Sequence, residues 1–322
     1  MSELKVNRIA KRSGNSISLS DPLRLKTYTT SERDSLTASQ GDTIYNSETT
    51  KVEYYNGSQW LTTNPVLGNL EYLVIAGGGG GSTAWSSNTR FGGGGGAGGY
   101  RCSVVGERSG GNTDPEDLFV VETSTNYTVT VGAGGAGGSG GYFGDGSKGS
   151  DSVFATITSL GGGGAGDNSA SINDGGSGAG TGYSESAGLG TNNQGCDGGF
   201  RINADGGTAG AGGGGAGSRG NNGGYPGFIY GGNGLSSSIT GSAVTRAAGG
   251  GSAAGSAGAN TGTGGGGGSS TSAGSGGSGI VILKFPDTYT LSVGVGLTYS
   301  QSTASGYTTA IFTAGTDTIS FS

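Results

Sequence analysis

No histidine occurs in the 322 residues. Its absence removes Ser-His-Asp and Cys-His catalysis, histidine-ligated zinc and the usual proton shuttle near neutral pH. Cysteine is almost as scarce. Cys102 and Cys196 are the only two, and they show no metal-ligand spacing. The N-terminus carries Glu3, Lys5, Arg8, Lys11 and Arg12 without an apolar leader, so both thiols are expected to be isolated groups made in a reducing cytosol, with a Cys102–Cys196 disulfide as the less favoured alternative. No run approaches the roughly 20 apolar residues of a membrane-spanning helix. Proline is limited to 5 residues, and without it and a strict Gly-X-Y period the chain is not collagen.

Large apolar side chains are also few. Leu, Ile, Val and Phe together supply 53 residues, about 16% of the chain, below the roughly 20% at which globular composition gives way to disorder. Yet the net charge is only -6, and Gly161 to Ser278 holds eight charged residues. Such a stretch lacks the self-repulsion and solvation of a disordered tail and reads as built to pack on itself. The acidic balance, with its basic residues scattered, argues against nucleic acid as a partner.

Glycine fills the gap, with 79 residues. Its runs are Gly77 to Gly81, Gly92 to Gly96, Gly161 to Gly164, Gly212 to Gly215, Gly249 to Gly251 and Gly264 to Gly268. So much glycine excludes long α-helices. The ordered state left open is an extended polyproline-II-like helix of three residues per turn, rising about 3.1 Å per residue, which satisfies none of its own backbone groups. Parallel bundles of such helices pair N–H with C=O between neighbours, and without Cβ atoms they approach closely. Each glycine loses about 1 kcal/mol more on ordering than alanine, so only a cooperative bundle is expected to hold.

Residues 1–68 have nearly ordinary composition. Ile17 to Leu19 is strand-like, and Ser31-Glu32-Arg33-Asp34 has the pattern of a capping box that starts one short helix. Gly41 to Asn46 reads as a connector. Lys51 to Trp60 reads as a hairpin around Asn56-Gly57, with Tyr45, Tyr54, Tyr55 and Trp60 in want of a covering surface such as a second copy. Further strands are expected at Leu70 to Ala76, Tyr100 to Val105, Leu118 to Val121, Tyr127 to Val131, Ser152 to Thr158 and Ile280 to Phe285. They flank the glycine mass on both sides, so the fold class is mainly β plus polyglycine-II helices. An N-terminal β-hairpin module (1–68) precedes a glycine-rich domain with a β base (69–286). Residues 287–322 form a small C-terminal β segment, with strands at Tyr307 to Phe312 and Thr318 to Phe321 around an Ala314 to Asp317 turn.

Chemistry-bearing motifs are weak. G-x-G-x-x-G arises by chance at this glycine content, and Lys148 stands at the wrong spacing for a phosphate loop. Asp145, Asp151, Asp167, Asp174, Asp197 and Asp205 lie in Gly/Ser/Asn-rich stretches without an EF-hand or nonapeptide calcium repeat. No spacing pairs Glu185 with an aspartate for glycoside hydrolysis. No catalytic residue, cofactor or metal ligand is therefore assigned. The aromatics between the glycine runs carry more: Trp85, Phe91, Tyr142, Phe143, Tyr183, Phe200, Tyr225, Phe228 and Tyr230 stand among residues too small to cover them. Each is either a staple within the bundle or an exposed contact, and aromatics stack well on sugar rings.

Gly41-Asp42-Thr43-Ile44-Tyr45-Asn46 with Val52 to Trp60 resembles the short module recurrent in tail-fibre proteins of marine bacteriophages, especially cyanophages. Leu70 to Gly81, Gly92 to Arg101, Tyr127 to Gly135 and Ser278 to Phe285 resemble the glycine-rich phage domain found in such fibres. The resemblance implies a polyglycine-II sandwich like that of distal fibre adhesins of T-even-like phages, whose variable loops bind the host receptor. Here those loops correspond to Ser82 to Phe91, Tyr142 to Lys148, Asp167 to Asp174, Tyr183 to Arg201 and Arg219 to Tyr230. It further implies a non-enzymatic virion protein, made in the host cytoplasm and docked to other tail proteins through the N-terminal module. It would be a homotrimer whose partner is a glycan or outer-membrane protein on the host surface. A purely structural tail or capsid decoration is the alternative, and an ice-binding polyglycine protein is disfavoured by the irregular spacing of Thr and Ser.

Overall fold

The computed structural model describes residues 24–62, 66–84, 91–140, 144–166, 173–182, 186–202, 210–224, 228–253, 255–269 and 271–322. The chain divides into two compact units, Met1–Pro65 and Val66–Ser322.

In the first unit, β1 (Thr27–Tyr28) lies parallel to β2 (Thr43–Asn46), which pairs antiparallel with β3 (Lys51–Tyr55), and β3 with β4 (Trp60–Thr62). The expected hairpin around Asn56-Gly57 is the β3–β4 pair. Asn56 donates its N–H to the Gln59 carbonyl, and Gly57 takes the positive φ of 100° that the turn requires. Gly41 to Asn46, expected as a connector, instead contributes strand β2. The helix α1 (Thr30–Asp34) is capped two residues earlier than expected. Its capping box joins Thr29 to Glu32 rather than Ser31 to Asp34, because Thr29 accepts from the Glu32 N–H and Glu32 reaches back to the Thr29 N–H. Under this helix Glu53 is almost fully buried and bonded to Arg33, Asn46 and Thr49. Burial pushes its carboxyl up, and the bonds from Arg33, Asn46 and Thr49 together bring it below its ordinary value.

In the second unit the strands are β5 (Val66–Ile75), β6 (Tyr100–Cys102), β7 (Phe119–Glu122), β8 (Tyr127–Thr130), β9 (Ser152–Phe154), β10 (Ile157–Ser159), β11 (Leu235–Ser237), β12 (Val244–Arg246), β13 (Ile280–Pro286), β14 (Leu291–Val293), β15 (Leu297–Ala304) and β16 (Tyr307–Phe321). All but the β11–β12 hairpin join one ten-stranded sheet that curls into a nearly closed barrel. At its centre β13 lies antiparallel between β5 and β16. Both strands read as continuous apolar runs because both faces are covered. Leu70, Tyr72, Val74, Val281, Leu283 and Phe285 point to the barrel interior with Phe154, Phe312 and Phe321. Their alternates Leu73, Ile75, Ile280 and Ile282 point the other way, onto Ala97, Ala216 and Ala247 of the glycine segments.

Ser152 to Thr158 is not one strand but the β9–β10 hairpin, turned at Ala155, which takes a φ of 52°. The C-terminal residues are not a separate segment. β16 runs unbroken from Tyr307 to Phe321 and pairs with β8, β13, β14 and β15. The expected turn is a kink at Gly315, where φ is 98° and the strand passes from one set of partners to the next.

From the barrel the glycine segments run out and back. The segment 76–84 leaves β5 and 91–99 returns to β6; 132–138 leaves β8 and 144–150 returns to β9. Along 77–83 the N–H groups of Gly77, Gly80 and Thr83 donate to Ser150, Ser147 and Gly144, those of Gly78 and Gly81 to Gly277 and Gly274, and those of Gly79 and Ser82 to Gly96 and Gly93, all at 2.9–3.0 Å. The carbonyls repeat the pattern. Gly77 and Gly80 accept from Gly162 and Ala165, Gly78 and Gly81 from Gly135 and Gly138, and Gly79 and Ser82 from Gly265 and Gly268. Every third residue thus returns to the same neighbour, as a chain with three residues per turn does. Donating to three antiparallel runs and accepting from three parallel ones, the segment sits inside a six-fold surround.

Glycine is what permits that spacing. A Cβ on Gly77, Gly78, Gly79, Gly80 or Gly81 would run into the carbonyl of Ala133, Thr263, Gly163, Ala136 or Gly266, respectively. The second inner run, 92–99, is surrounded likewise, donating to 262–268, 160–163 and 211–214 and accepting from 76–82, 177–180 and Gly250.

Candidate functional site

The out-and-back path continues through the whole lattice. Hydrogen bonds align 160–166, 177–181, 196–202, 219–224, 247–253 and 262–268 with the outward run 76–84, and 173–176, 186–190, 210–216, 228–234, 255–261 and 272–279 with the inward run 91–99. Turns at the barrel end join some of these runs. One is Thr191 to Gln194, whose carbonyl holds the N–H of Tyr100; another is Ala216 to Ser218; a third is the β11–β12 hairpin.

The opposite end gathers the aromatics. Thr83 and Gly144 exchange two hydrogen bonds, Gly268 donates to Ser82, Gly92 donates to Gly268, and Gly210 donates to Phe91. Ala211 donates to Thr181, Gly223 to Phe200, and Ile229 and Ser252 bond each other. The described residues flanking every reversal of the lattice away from the barrel therefore lie together at one end, although they come from all along the sequence.

On that end Phe91 and Phe228 pack as a tilted pair with ring centroids 5.4 Å apart. Phe91 is half-buried, Phe228 is 61% exposed and Tyr230 is 75% exposed. Phe200 and Ile202 are exposed on the neighbouring outward run, where Asn222 accepts from the Phe200 N–H at 3.1 Å. Of the aromatics singled out in the sequence, these four are brought toward one end of the lattice, and Phe91 and Phe228 touch. Trp85, Tyr142, Phe143, Tyr183 and Tyr225 lie outside the described residues. Ile202 and Asn222 were not singled out; the placement of Phe200-Arg201-Ile202 directly after Gly198-Gly199 was the available signal. The stretch Tyr183 to Arg201, expected as one loop, contains an inward run, a barrel-end turn and an outward run. Lys148 lies on the inward run 144–150 rather than in a loop.

This face offers contact chemistry rather than bond-making chemistry. The Arg219–Asp197 ion pair, 3.6 Å long, lies away from this face, at the barrel end of the lattice just after the Ala216 to Ser218 turn. Among the described residues no group of three or more His, Cys, Asp or Glu is placed to hold a metal ion. Both cysteines are free. Burial pushes the Cys102 thiol up to about 12 and raises Cys196 as well, so neither presents a thiolate at neutral pH. A cleft of about 610 Å³ opens at the barrel beside Tyr72, Asp114, Glu116, Leu118, Phe119 and Ile157. Its Glu116 is already engaged by the Arg101 guanidinium, the Tyr72 hydroxyl and Ser109.

A glycine-rich domain family model matches residues 54–286. No match was found among curated proteins. With the match spanning most of the chain and covering the lattice and strands β5 to β13, the chain belongs to the glycine-rich domain family.

Proposed function

We propose that this chain is a non-enzymatic tail-fibre or adhesin protein of a phage virion, and that it binds a host-cell surface receptor through the end of the glycine lattice remote from the barrel. We read that lattice as a polyglycine-II bundle. The observation that carries the reading is the convergence of Phe91, Phe200, Phe228 and Tyr230 on one end of a scaffold that is otherwise backbone. The described glycine runs have most of their N–H and C=O groups engaged and carry few rotatable side chains, so Phe91, Phe200, Phe228 and Tyr230 stand on a stiff base, and rigid presentation of aromatics lowers the entropic cost of binding. Phe228 and Tyr230 expose large apolar surface that a folded monomer has reason to cover only on contact.

The test is binding of the fluorescently tagged full chain to a panel of candidate host cells. Saturable, strain-specific binding that is lost in Phe228→Ala and Tyr230→Ala supports the reading. A folded chain that binds no susceptible host assigns it instead to a structural tail or capsid component.

A further inference from the structure

The two end strands of the sheet, β10 and β6, are covered. At β10 the Thr158 carbonyl receives the Arg101 guanidinium and the Gln194 amide. At β6 the Cys102 N–H is held by Ser109, its carbonyl by the Glu116 N–H, and the Tyr100 N–H by the Gln194 carbonyl. Such side-chain and loop covers are how sheets avoid pairing with other chains.

β15 has no such cover. It pairs with β16 alone, and seven of its eight residues are exposed. The turn Ser305-Gly306, with φ of 54° and 80°, makes a two-residue hairpin. In such a hairpin Ala304, Ser302 and Ser300 exchange their bonds with β16, leaving the N–H and C=O of Tyr299, Gln301 and Thr303 turned outward. None of these outward groups finds a partner among the described residues. Nor does charge or proline guard the edge. Residues 288–316 contain no Asp, Glu, Lys, Arg or Pro, the very residues used to blunt exposed edges.

We infer that β15 is a self-association edge and that its occupant is β15 of a second copy of this chain, joined antiparallel about a two-fold axis at Gln301. The outward groups are self-complementary under that operation. Gln301 faces its own counterpart, Tyr299 faces Thr303 and Thr303 faces Tyr299, giving about six backbone hydrogen bonds by the alternation of an antiparallel ladder. Tyr299, already stacked on Phe312 with centroids 5.7 Å apart, extends the aromatic cover across the junction. A neutral edge on an otherwise acidic chain is also where two copies meet without repulsion.

The inference does not depend on what the far end of the lattice binds. Light scattering of the purified full chain over a dilution series should give twice the chain mass at high concentration. Gln301→Lys and Gln301→Glu, each an exposed substitution, should weaken self-association by about tenfold or more, since like charges directly opposite across a strand pair destabilise it. Mixing the two variants should restore the dimer, and circular dichroism should show each of them folded. A monomer at every concentration, or an oligomer of any size that Gln301→Lys and Thr303→Lys leave intact, would overturn the inference. So would a β15 edge protected from hydrogen exchange only when a different protein is added.

Discussion

Gly213 lies so close to the carbonyl oxygen of Gly95 that a Cβ on it would stand only 2.0 Å from that oxygen. Here glycine is selected by what stands opposite it. Gly213→Ala should therefore cost about 3 kcal/mol, the upper range for overpacking a close-packed interior, and Gly213→Val more. At Gly224 a Cβ meets nothing within 4 Å. There Gly→Ala should stabilise by about 0.4–1 kcal/mol by restricting the unfolded chain. Thermal unfolding of the two variants beside the wild type checks both. Equal effects would show that chain entropy, not close approach, governs the lattice.

Tyr230 and Phe228 should separate binding from stability. Both side chains are mostly exposed, so truncation to alanine should move stability by no more than about 0.5 kcal/mol, while host-cell adsorption falls by about tenfold or more, as expected for exposed aromatic anchors. Phe91→Ala should lower both, because the half-buried Phe91 ring supports Phe228. Melting curves and adsorption titrations on the same preparations give the comparison.

The barrel was largely legible because apolar runs such as Leu70 to Ala76 and Ile280 to Phe285 have no alternative to a sheet covered on both faces. β14 and β15 were not, since Leu291-Ser292-Val293 is short and β15 is mostly small and polar. The unbroken β16 was hidden by Gly315, which looks like a turn in sequence but serves as a kink where one strand changes partners. Within the lattice the glycine runs told that close approach was intended, but not which run meets which. That information lies in the three-residue register, where a shift of one residue turns an N–H toward a different neighbour. The convergence of Phe91 with Phe228 was unreadable for the same reason.

Glu53 makes the first unit acid-sensitive. Its carboxyl is lowered in the folded state by Arg33, Asn46 and Thr49 despite its burial. A depressed folded-state value means that the stabilisation is fully present above the ordinary glutamate value of about 4.3 and is lost as pH falls through the lower folded value. The emission of Trp60, which packs on Tyr55 with centroids 5.4 Å apart, read in a Trp85→Phe background, should report loosening of this unit below that pH. In Glu53→Gln the acid transition should weaken or vanish, at the cost of lower stability at neutral pH.

Glu116 should prove the most sensitive carboxylate of the barrel. It accepts from Arg101 at 2.9 Å, from the Tyr72 hydroxyl at 3.0 Å and from Ser109 at 3.2 Å, and burial followed by the charge of Glu116 raises the Tyr72 hydroxyl well above its ordinary value. Removing the carboxylate in Glu116→Ala strands a half-buried guanidinium and a buried phenol together. Breaking such a pair from one side costs about 3 kcal/mol in partly buried surroundings. Arg101→Met with Glu116→Leu removes both charges and should recover much of that loss, since an apolar replacement leaves no charge without a partner. Denaturant titration of the single and double variants measures the difference, and a double variant no more stable than Glu116→Ala would mean that the network holds β6 in place by geometry rather than by charge.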